Sequence, residues 1–221
     1  MGAGRRHLIL VAAAGAILLA GCGGDDEGED ESEPALPAGC EEIEQPAPRE
    51  VQAEPPRERL RGPATAVVET SCGTFEIALD VARAPKTTSS FASLAEQGYY
   101  DDTPVLRIQR EFLVQMGDPT GTRTGGPGYT VDERPPPDLA YLRGVVAMAK
   151  SPVEPVGRSG GQFFIVTAPA DAGLPPENAL LGEVSSGMDV VERIEELGAP
   201  DGTDGPPERP VAIRSVTIRR G

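Results

Sequence analysis

The sequence VLRIQREFLVQMGDP, from Val105 to Pro119, is the strongest local indication of how this chain folds. It contains two short runs rich in β-forming residues, Val105–Ile108 and Phe112–Met116, with charged and polar residues between them. Short runs of this kind, bounded by polar, glycine and proline residues, are typical of strands. The stretch therefore predicts short strands separated by turns.

A further strand pair is predicted upstream of this stretch. In Gly73–Asp80 the apolar residues Phe75, Ile77 and Leu79 alternate with polar or small residues, so they share one face of a strand. Ala66–Thr70 is the predicted hairpin partner, connected through the intervening Ser-Cys-Gly turn.

Two helices are predicted from residues that suit helix ends and from the spacing of apolar residues. Pro85 suits the first turn of a helix, and Gly98 offers a C-terminal stop. A second helix fits Asp189–Leu197. Helical spacing gives each segment one apolar face, and the residues expected to face inward are Phe91, Leu94, Ala95, Val190, Val191, Ile194 and Leu197.

Three more β-rich runs complete the pattern, at Gly144–Ala149, Gln162–Thr167 and Val211–Ile218. Many short strands with glycine and proline turns, and only two helices, predict a mainly β fold. The predicted architecture is a closed antiparallel β-barrel with two capping α-helices, because closure removes exposed sheet edges. A β-sandwich is the alternative. The predicted domain spans residues 64–221.

The composition narrows the chemistry that the chain can perform. The chain of 221 residues has a formal net charge of −15 and a single histidine, His7, in a segment expected to be removed. Without imidazole, histidine-dependent triads, histidine general bases and the usual zinc sites are excluded, and no metal or cofactor is expected. The negative charge argues against nucleic acid as a partner. An enzyme built from this sequence works by binding and electrostatics, or by carboxylates.

The N-terminus has the features of an export signal. Arg5 and Arg6 precede an apolar run, Leu8–Leu19, that is too short to remain as a membrane-spanning helix. The run is followed by Ala-Gly and then Cys22, which resembles the lipobox of bacterial lipoproteins. Residues 1–21 are therefore predicted to be a lipoprotein signal peptide, with Cys22 carrying the lipid. The alternative is a plain signal peptide in which Cys22 is incidental.

Residues 22–63 are predicted to be a disordered tether between the lipid and the domain. An acidic run and scattered prolines leave this segment too few large apolar residues to offset its ordering entropy. The acidic run is interpreted as a solvated spacer, with a partner-binding or cation-binding patch as the alternative. Cys40 and Cys72 are predicted to form a disulfide outside the cytoplasm, and two free thiols are the alternative.

The sequence from Val105 to Pro119 resembles the cyclophilin signature F-H-R-x-x-x-x-F-[ML]-x-Q-G-G-D-P. Gly121–Tyr129 is similar to the glycine-rich loop of that family, and Gly144–Ala149 and Ser159–Ile165 match two further blocks in the same order. The resemblance covers Ala66–Ile218. It implies a cyclophilin-like barrel with peptidyl-prolyl cis/trans isomerase activity.

The resemblance also implies which residues form the site. Arg107 matches the catalytic arginine of the family, Phe112 its proline pocket and Gln115 its positioning glutamine. Phe163 is expected in the barrel core, because neighbours on a strand face opposite sides. The further substrate-binding positions are Leu113, Met148, Ala149, Gln162, Phe164, Leu174 and Asn178.

Four departures from the family pattern fall at or beside positions of the site. Leu106 replaces the histidine beside the arginine, and Gly173 replaces the groove tryptophan. Asn178 takes the place of a second histidine, and Lys150 stands where many members have asparagine. The missing tryptophan implies weak inhibition by cyclosporin.

Two functions fit this sequence: an isomerase that assists the folding of exported proteins, and a catalytically weak binding module for proline-containing segments. The retained Arg107 favours the isomerase, whereas Leu106 and Gly173 keep the binding module open. The expected partners are proline-containing polypeptides and, through the N-terminal lipid, the membrane. We expect an extracytoplasmic monomer, lipid-anchored to the cell membrane.

Overall fold

Residues 35–221 are described by a computed structural model, and they form a closed β-barrel with two helices packed against it. The barrel strands are β1 (Ala64–Thr70), β2 (Gly73–Leu79), β3 (Thr103–Gln109), β4 (Leu113–Met116), β6 (Val145–Met148), β8 (Phe163–Val166), β9 (Leu180–Ser186) and β10 (Ala212–Arg220). A separate two-stranded ladder consists of β5 (Val131–Asp132) and β7 (Arg158–Ser159). The helices are α1 (Pro85–Glu96) and α2 (Met188–Glu195).

The barrel closes in the strand order β1-β10-β3-β4-β8-β6-β9-β2, and each neighbouring pair is antiparallel. The predicted hairpin is present, with β1 and β2 paired from Thr65 opposite Ala78 to Thr70 opposite Gly73. This confirms the mainly β class and the closed barrel. Strand β9 has no counterpart in the sequence prediction, because its buried first half is followed by mostly exposed residues.

The helices begin and end close to the predicted residues. α1 starts at Pro85, and Gly98 adopts a left-handed backbone just beyond its end. Phe91 of α1 is fully buried and contacts Phe163 of β8 edge-on, with the ring centroids 5.5 Å apart. The buried residues of α2 are Val190, Val191 and Ile194.

Strand alternation divides the apolar residues between two clusters. The larger cluster fills the barrel and includes Phe75, Phe163 and Ile165. The smaller cluster includes Phe164 and Val166, which alternate with the core residues of β8 and so lie on the outer face of the barrel. Phe163 and Phe164 thus face opposite sides, as predicted.

Residues 35–63, which we call the strap, differ from the disordered tether that the sequence predicts for residues 22–63. The strap has no helix or strand, but Val51 packs against the main core and Leu60 is only 8% exposed. The expectation is corrected for this part because Leu36, Val51, Ala53 and Leu60 pack against the main core and backbone hydrogen bonds fix the chain. Residues 22–34 lie outside the described residues.

A disulfide joins Cys40 in the strap to Cys72 in the β1–β2 turn, as the sequence predicts. The two cysteines are 32 positions apart, and closing a loop of that length stabilises the fold by about 3–4 kcal/mol in the chain-entropy treatment. The predicted signal peptide and Cys22 lie outside the described residues. In residues 35–221, no helix is long and apolar enough to cross a membrane.

Candidate active site

Four neighbouring strands bring distant parts of the sequence into one row on the outside of the barrel. Arg107 on β3 is in register with Gln115 on β4. Gln115 is in register with Phe164 on β8, and Phe164 with Ala147 on β6. Residues paired in this way point to the same face of a sheet. The row therefore places a cation, an amide and an aromatic ring side by side.

A chain of polar side chains extends from Arg107. Its Nη1 donates to Gln115 Oε1 at 3.4 Å, and Gln115 Nε2 donates to Gln162 Oε1 at 2.9 Å. Gln162 Nε2 in turn donates to the carbonyl oxygen of Gly125 at 3.1 Å. Because the Gln115 amide both accepts and donates, its orientation is fixed, and it fixes one edge of the guanidinium.

Asp204 holds the guanidinium at a second point. Its Oδ1 accepts a hydrogen bond from Arg107 Nε at 2.7 Å, and the two side chains are 42% and 24% exposed respectively. The loop that carries Asp204 is attached to β3 next to the arginine, because the Ile108 N–H donates to the Gly205 carbonyl at 2.8 Å. With two points held, the planar guanidinium keeps further N–H groups for a substrate.

An apolar patch lies on the same face of the barrel. Leu113 and Phe164 are 3% and 4% exposed, and the partly buried Phe112 and Leu174 pack against their cluster. Tyr141 is fully buried, with its ring centroid 6.2 Å from that of Phe164. The patch offers an apolar contact surface for a small ring beside a cation.

The turn that carries Phe112 is held by a carboxylate of α2. Glu111 has a φ of 57°, and its N–H donates to Glu195 Oε1 at 2.7 Å. The Thr167 hydroxyl donates to the same oxygen at 2.5 Å, and the Thr167 N–H donates to the Phe112 carbonyl at 2.9 Å. Glu195 thus fastens the Phe112 turn to the end of β8.

Met148 does not reach the groove that the sequence predicts for it. Its side chain is 1% exposed and lies in the barrel core, in register with Phe163. Because neighbours on β6 alternate, Ala147 and Ala149 face the outer patch and Met148 faces inward. The assignment of Met148 to substrate binding is therefore corrected, whereas Ala149 lies at the groove.

Asn178 braces the chain beside the groove. Its Nδ2 donates to the Met148 carbonyl at 2.9 Å, and its N–H donates to the Tyr141 hydroxyl at 3.2 Å. The same hydroxyl donates back to the Asn178 carbonyl at 3.1 Å. These bonds hold the end of β6 that leads to Ala149.

The other departures from the family pattern also have clear positions. Leu106 is 6% exposed and therefore buried. Gly173 is exposed with a φ of 66°, and a Cβ at this position would meet nothing within 4 Å. The Lys150 side chain is 6% exposed, and its Nζ lies 3.3 Å from Glu177 Oε2. The groove is therefore open at Gly173, where the resemblance expects a tryptophan.

A pocket of about 550 Å³ adjoins the polar chain. Gly161 lies in its wall, and a Cβ there would lie 2.4 Å from Tyr99 Cε1, so only glycine fits this close approach. Other lining residues are Gln115, Arg123, Gly125, Pro127, Ala149, Lys150 and Gln162.

Sequence reasoning missed several residues that build the site. Asp204, Tyr141 and Glu195 come from segments without a local motif, so nothing in the sequence pattern indicated them. Asp118 had such a signal, because it lies in the quoted Gly-Asp-Pro. Asp118 is fully buried, and its carboxylate accepts from the Gly125 N–H at 3.0 Å.

Two tyrosines near the site have shifted pKa values, and residues 35–221 contain no histidine. Burial raises the pKa of Tyr141 and of Tyr129 above the usual tyrosine value. Within residues 35–221, no group of three or more His, Cys, Asp or Glu side chains is arranged to hold a metal ion. The chemistry offered by the described residues is hydrogen bonding from a guanidinium beside an apolar surface.

The protein is thus a closed β-barrel whose outer face carries a fixed arginine next to an apolar patch. The sequence model of the family described as cyclophilin type peptidyl-prolyl cis-trans isomerase/CLD matches residues 65–218. The chain belongs to this family and is a peptidyl-prolyl cis/trans isomerase, or rotamase. The fold and the enzyme class implied by the resemblance are confirmed.

Relatives from several organisms support the assignment. The chain is similar to peptidyl-prolyl cis-trans isomerase-like 1 of Neurospora crassa, with 36% identity over 156 residues that cover 69% of this chain and 93% of that protein. The probable peptidyl-prolyl cis-trans isomerase B of Mycobacterium leprae is 36% identical over 175 residues, which cover 71% of this chain and 58% of that protein.

Solved structures agree with this relationship. A crystal structure of a Cryptosporidium parvum cyclophilin type peptidyl-prolyl cis-trans isomerase matches with a TM-score of 0.64 and 26% identity, covering 72% of this chain and 99% of that one. A crystal structure of the same protein in the presence of the dipeptide Ala-Pro matches with a TM-score of 0.62.

Proposed function

We propose that this isomerase accelerates rotation about X-Pro bonds in exported or cell-envelope proteins, and that Arg107 does so by stabilising the twisted amide electrostatically. The observation that carries the mechanism is the position of the fixed Arg107 guanidinium on the same barrel face as the patch of Phe112, Leu113 and Phe164. A proline ring on the patch lies beside the cation.

The chemistry of the X-Pro bond fits this arrangement. The amide resists rotation by roughly 18–20 kcal/mol because the nitrogen lone pair is shared with the carbonyl. As the bond twists, the lone pair localises on the prolyl nitrogen, and an Arg107 N–H donates to it. The interaction is strongest in the transition state, so it accelerates rotation without proton transfer or a covalent intermediate.

The neighbours of Arg107 prepare it for this role. Gln115 and Asp204 hold two guanidinium nitrogens at 3.4 and 2.7 Å before any substrate arrives. A preorganised donor needs little rearrangement as the charge develops, which is the condition for efficient electrostatic catalysis. Phe112, Leu113 and Phe164 supply the binding that positions the proline ring.

An assay on a proline tetrapeptide, coupled to a protease that cleaves only the trans isomer, tests the mechanism. Arg107→Ala is expected to lower turnover about a hundredfold or more and to leave peptide binding largely intact. Arg107→Lys is expected to rescue poorly, since an ammonium lacks the planar fork. Arg83→Ala is the matched control, because Arg83 pairs with Asp80 and its side chain is 54% exposed.

Two results would change this conclusion. Near-native turnover by Arg107→Ala would show that the arginine mechanism is wrong. A wild-type protein that binds proline peptides without turning them over would favour the catalytically weak binding module.

The proposed location rests on the N-terminal sequence. The basic start, the apolar run Leu8–Leu19 and the small residues before Cys22 support export and lipid attachment, and hence an extracytoplasmic, membrane-anchored isomerase. The Cys40–Cys72 disulfide is in keeping with an oxidising compartment. Mass spectrometry of membrane-extracted protein is expected to find a lipidated Cys22 at the N-terminus. An intact Met1, or an unmodified Cys22, would contradict the proposal.

A further inference from the structure

The strap crosses the molecule between two fixed ends. At the first end, Cys40 is bonded to Cys72, and the Glu41 N–H donates to the Ser71 carbonyl at 2.7 Å. At the second end, Leu60 is buried in the main core, and its N–H donates to Ser89 Oγ at 2.8 Å. The middle of the strap is therefore held in place from both sides.

The middle of the strap binds both ends of residues 117–128, a segment that contains most of Gly121–Tyr129 and to which we extend the name glycine-rich loop. The Arg49 N–H donates to the Pro119 carbonyl at 2.8 Å, and the Ala53 N–H donates to the Pro127 carbonyl at 3.0 Å. These two backbone bonds attach the loop to a segment that lies far from it in the sequence.

The same loop contacts the active-site glutamines. Its Gly125 carbonyl accepts from Gln162 Nε2 at 3.1 Å, and Gln162 accepts from Gln115 at 2.9 Å. Inside the loop, the Asp118 carboxylate accepts from the N–H groups of Thr120 and Gly125, at 2.8 and 3.0 Å. The loop is thus a folded unit that is bonded both to the strap and to the polar chain leading to Arg107.

Arg49 makes a second connection to the site. Its guanidinium donates to the backbone carbonyls of Asp101 and Tyr99. The Tyr99 ring packs against Gly161, where a Cβ would lie only 2.4 Å from Cε1. Gly161 directly precedes Gln162, so Arg49 supports Gln162 through the loop and through Tyr99.

We infer that Arg49 and Ala53 are positioning residues for isomerisation. Their N–H groups hold the glycine-rich loop, and the Arg49 guanidinium holds Tyr99 against Gly161. Both contacts keep Gln162 and Gln115 in the arrangement that orients Arg107. The Cys40–Cys72 disulfide contributes to the same positioning, since it fixes the first end of the strap. The inference rests on the proposed function, because the chain of hydrogen bonds ends at the arginine assigned to catalysis.

The test compares two arginines of the strap in the full-length protein. Arg49→Ala removes the contacts to Asp101 and Tyr99, whereas Arg57→Ala is the matched control, because the Arg57 side chain is 85% exposed and pairs with nearby Glu54. Turnover of a proline tetrapeptide, thermal unfolding and the side-chain amide NMR signals of Gln115 and Gln162 are measured for each variant.

Arg49→Ala is expected to lower kcat about three- to tenfold, with a smaller change in KM, and to shift both glutamine signals. Arg49→Lys is expected to restore part of the rate, since an ammonium still donates to carbonyl oxygens. Ala53→Pro removes the N–H that donates to the Pro127 carbonyl, and it is expected to lower kcat and shift the glutamine signals as Arg49→Ala does. Arg57→Ala is expected to change neither the rate nor the glutamine signals.

A variant without the disulfide tests the inference independently of Arg49. Replacing both Cys40 and Cys72 by serine is expected to shift the Gln115 and Gln162 signals in the same direction as Arg49→Ala. The inference is overturned if these variants lower the unfolding temperature but leave kcat and both signals unchanged, because the strap then only stabilises the fold. If the wild-type protein does not isomerise at all, the proposed function fails, while the glutamine signals still decide whether the strap orders the site.

Discussion

Arg107 and Asp204 lie 97 positions apart in the sequence and are joined by a hydrogen bond of 2.7 Å between Nε and Oδ1. Both side chains are partly exposed, and ion pairs of this kind typically stabilise a protein by only about 0.2–1 kcal/mol. The pair therefore matters for the direction of the guanidinium more than for the stability of the fold. It fixes which edge of Arg107 stays free for the substrate.

Asp204→Ala is expected to lower kcat by up to about fivefold with little change in KM, because a partly exposed ion pair contributes about 0.2–1 kcal/mol and its loss leaves the guanidinium less well oriented. Asp204→Asn keeps an oxygen acceptor and is expected to stay much closer to the wild type. Steady-state kinetics on a proline tetrapeptide measure both. Equal losses in the two variants would indicate that the charge of Asp204, rather than its position, supports catalysis.

Phe112→Ala is expected to weaken peptide binding and turnover together, because it removes part of the surface that holds the proline ring. Burying a phenylalanine-sized apolar surface is worth about 1.5–3 kcal/mol, so kcat/KM is expected to fall by at least about tenfold. Phe112→Leu, which keeps an apolar side chain, serves as the control. Calorimetry with a proline peptide gives the binding change, and a loss of kcat alone would speak against this role.

The rate is expected to be nearly independent of pH between about pH 6 and 9, because residues 35–221 contain no histidine. Burial raises the pKa of Tyr129 and Tyr141 in the folded protein, which moves their titration further from neutrality. For the same reason, the stability that these tyrosines contribute is full below about pH 10 and is lost as the pH rises further. Kinetics and thermal unfolding across a pH series check both statements, and a bell-shaped rate profile near neutrality would contradict the first.

Cyclosporin is expected to inhibit weakly, because Gly173 stands where the resemblance places the tryptophan of the groove. A Cβ at Gly173 would meet nothing within 4 Å, so no neighbouring side chain fills the missing surface. An inhibition series in the tetrapeptide assay measures the effect. Tight inhibition would show that another part of the groove supplies the contact.

Much of the fold could be predicted from local patterns. Alternation in β2 identified Phe75, Ile77 and Leu79 as one face, and Pro85 and Gly98 marked the limits of α1. Strand β9 escaped prediction because its second half is mostly exposed and lacks the alternation of a half-buried strand. The packing of the strap on the domain was not predicted either. Composition shows how little apolar surface a segment has, but not whether that surface is covered by a neighbouring domain.

The residues of the site were also predicted only in part. Arg107, Phe112 and Gln115 could be named from their spacing, because they lie within one short stretch and the resemblance carries that spacing. Met148 was assigned to the wrong face, since its direction depends on the register of β6 against β8. A resemblance in sequence identifies a position but does not say which way its side chain points.

Local sequence patterns were enough to predict most of the barrel strands, both helices, the motif that carries the arginine, and the absence of histidine outside the N-terminal segment. Those properties depend on residue type and on spacings of a few residues, which local sterics and alternation convert into structure. Three contacts become visible only in the folded chain: Asp204 holds Arg107, Tyr141 supports Phe164, and the strap binds the glycine-rich loop. Those contacts join residues far apart in the chain, and only the closed barrel brings them within hydrogen-bonding and packing distance.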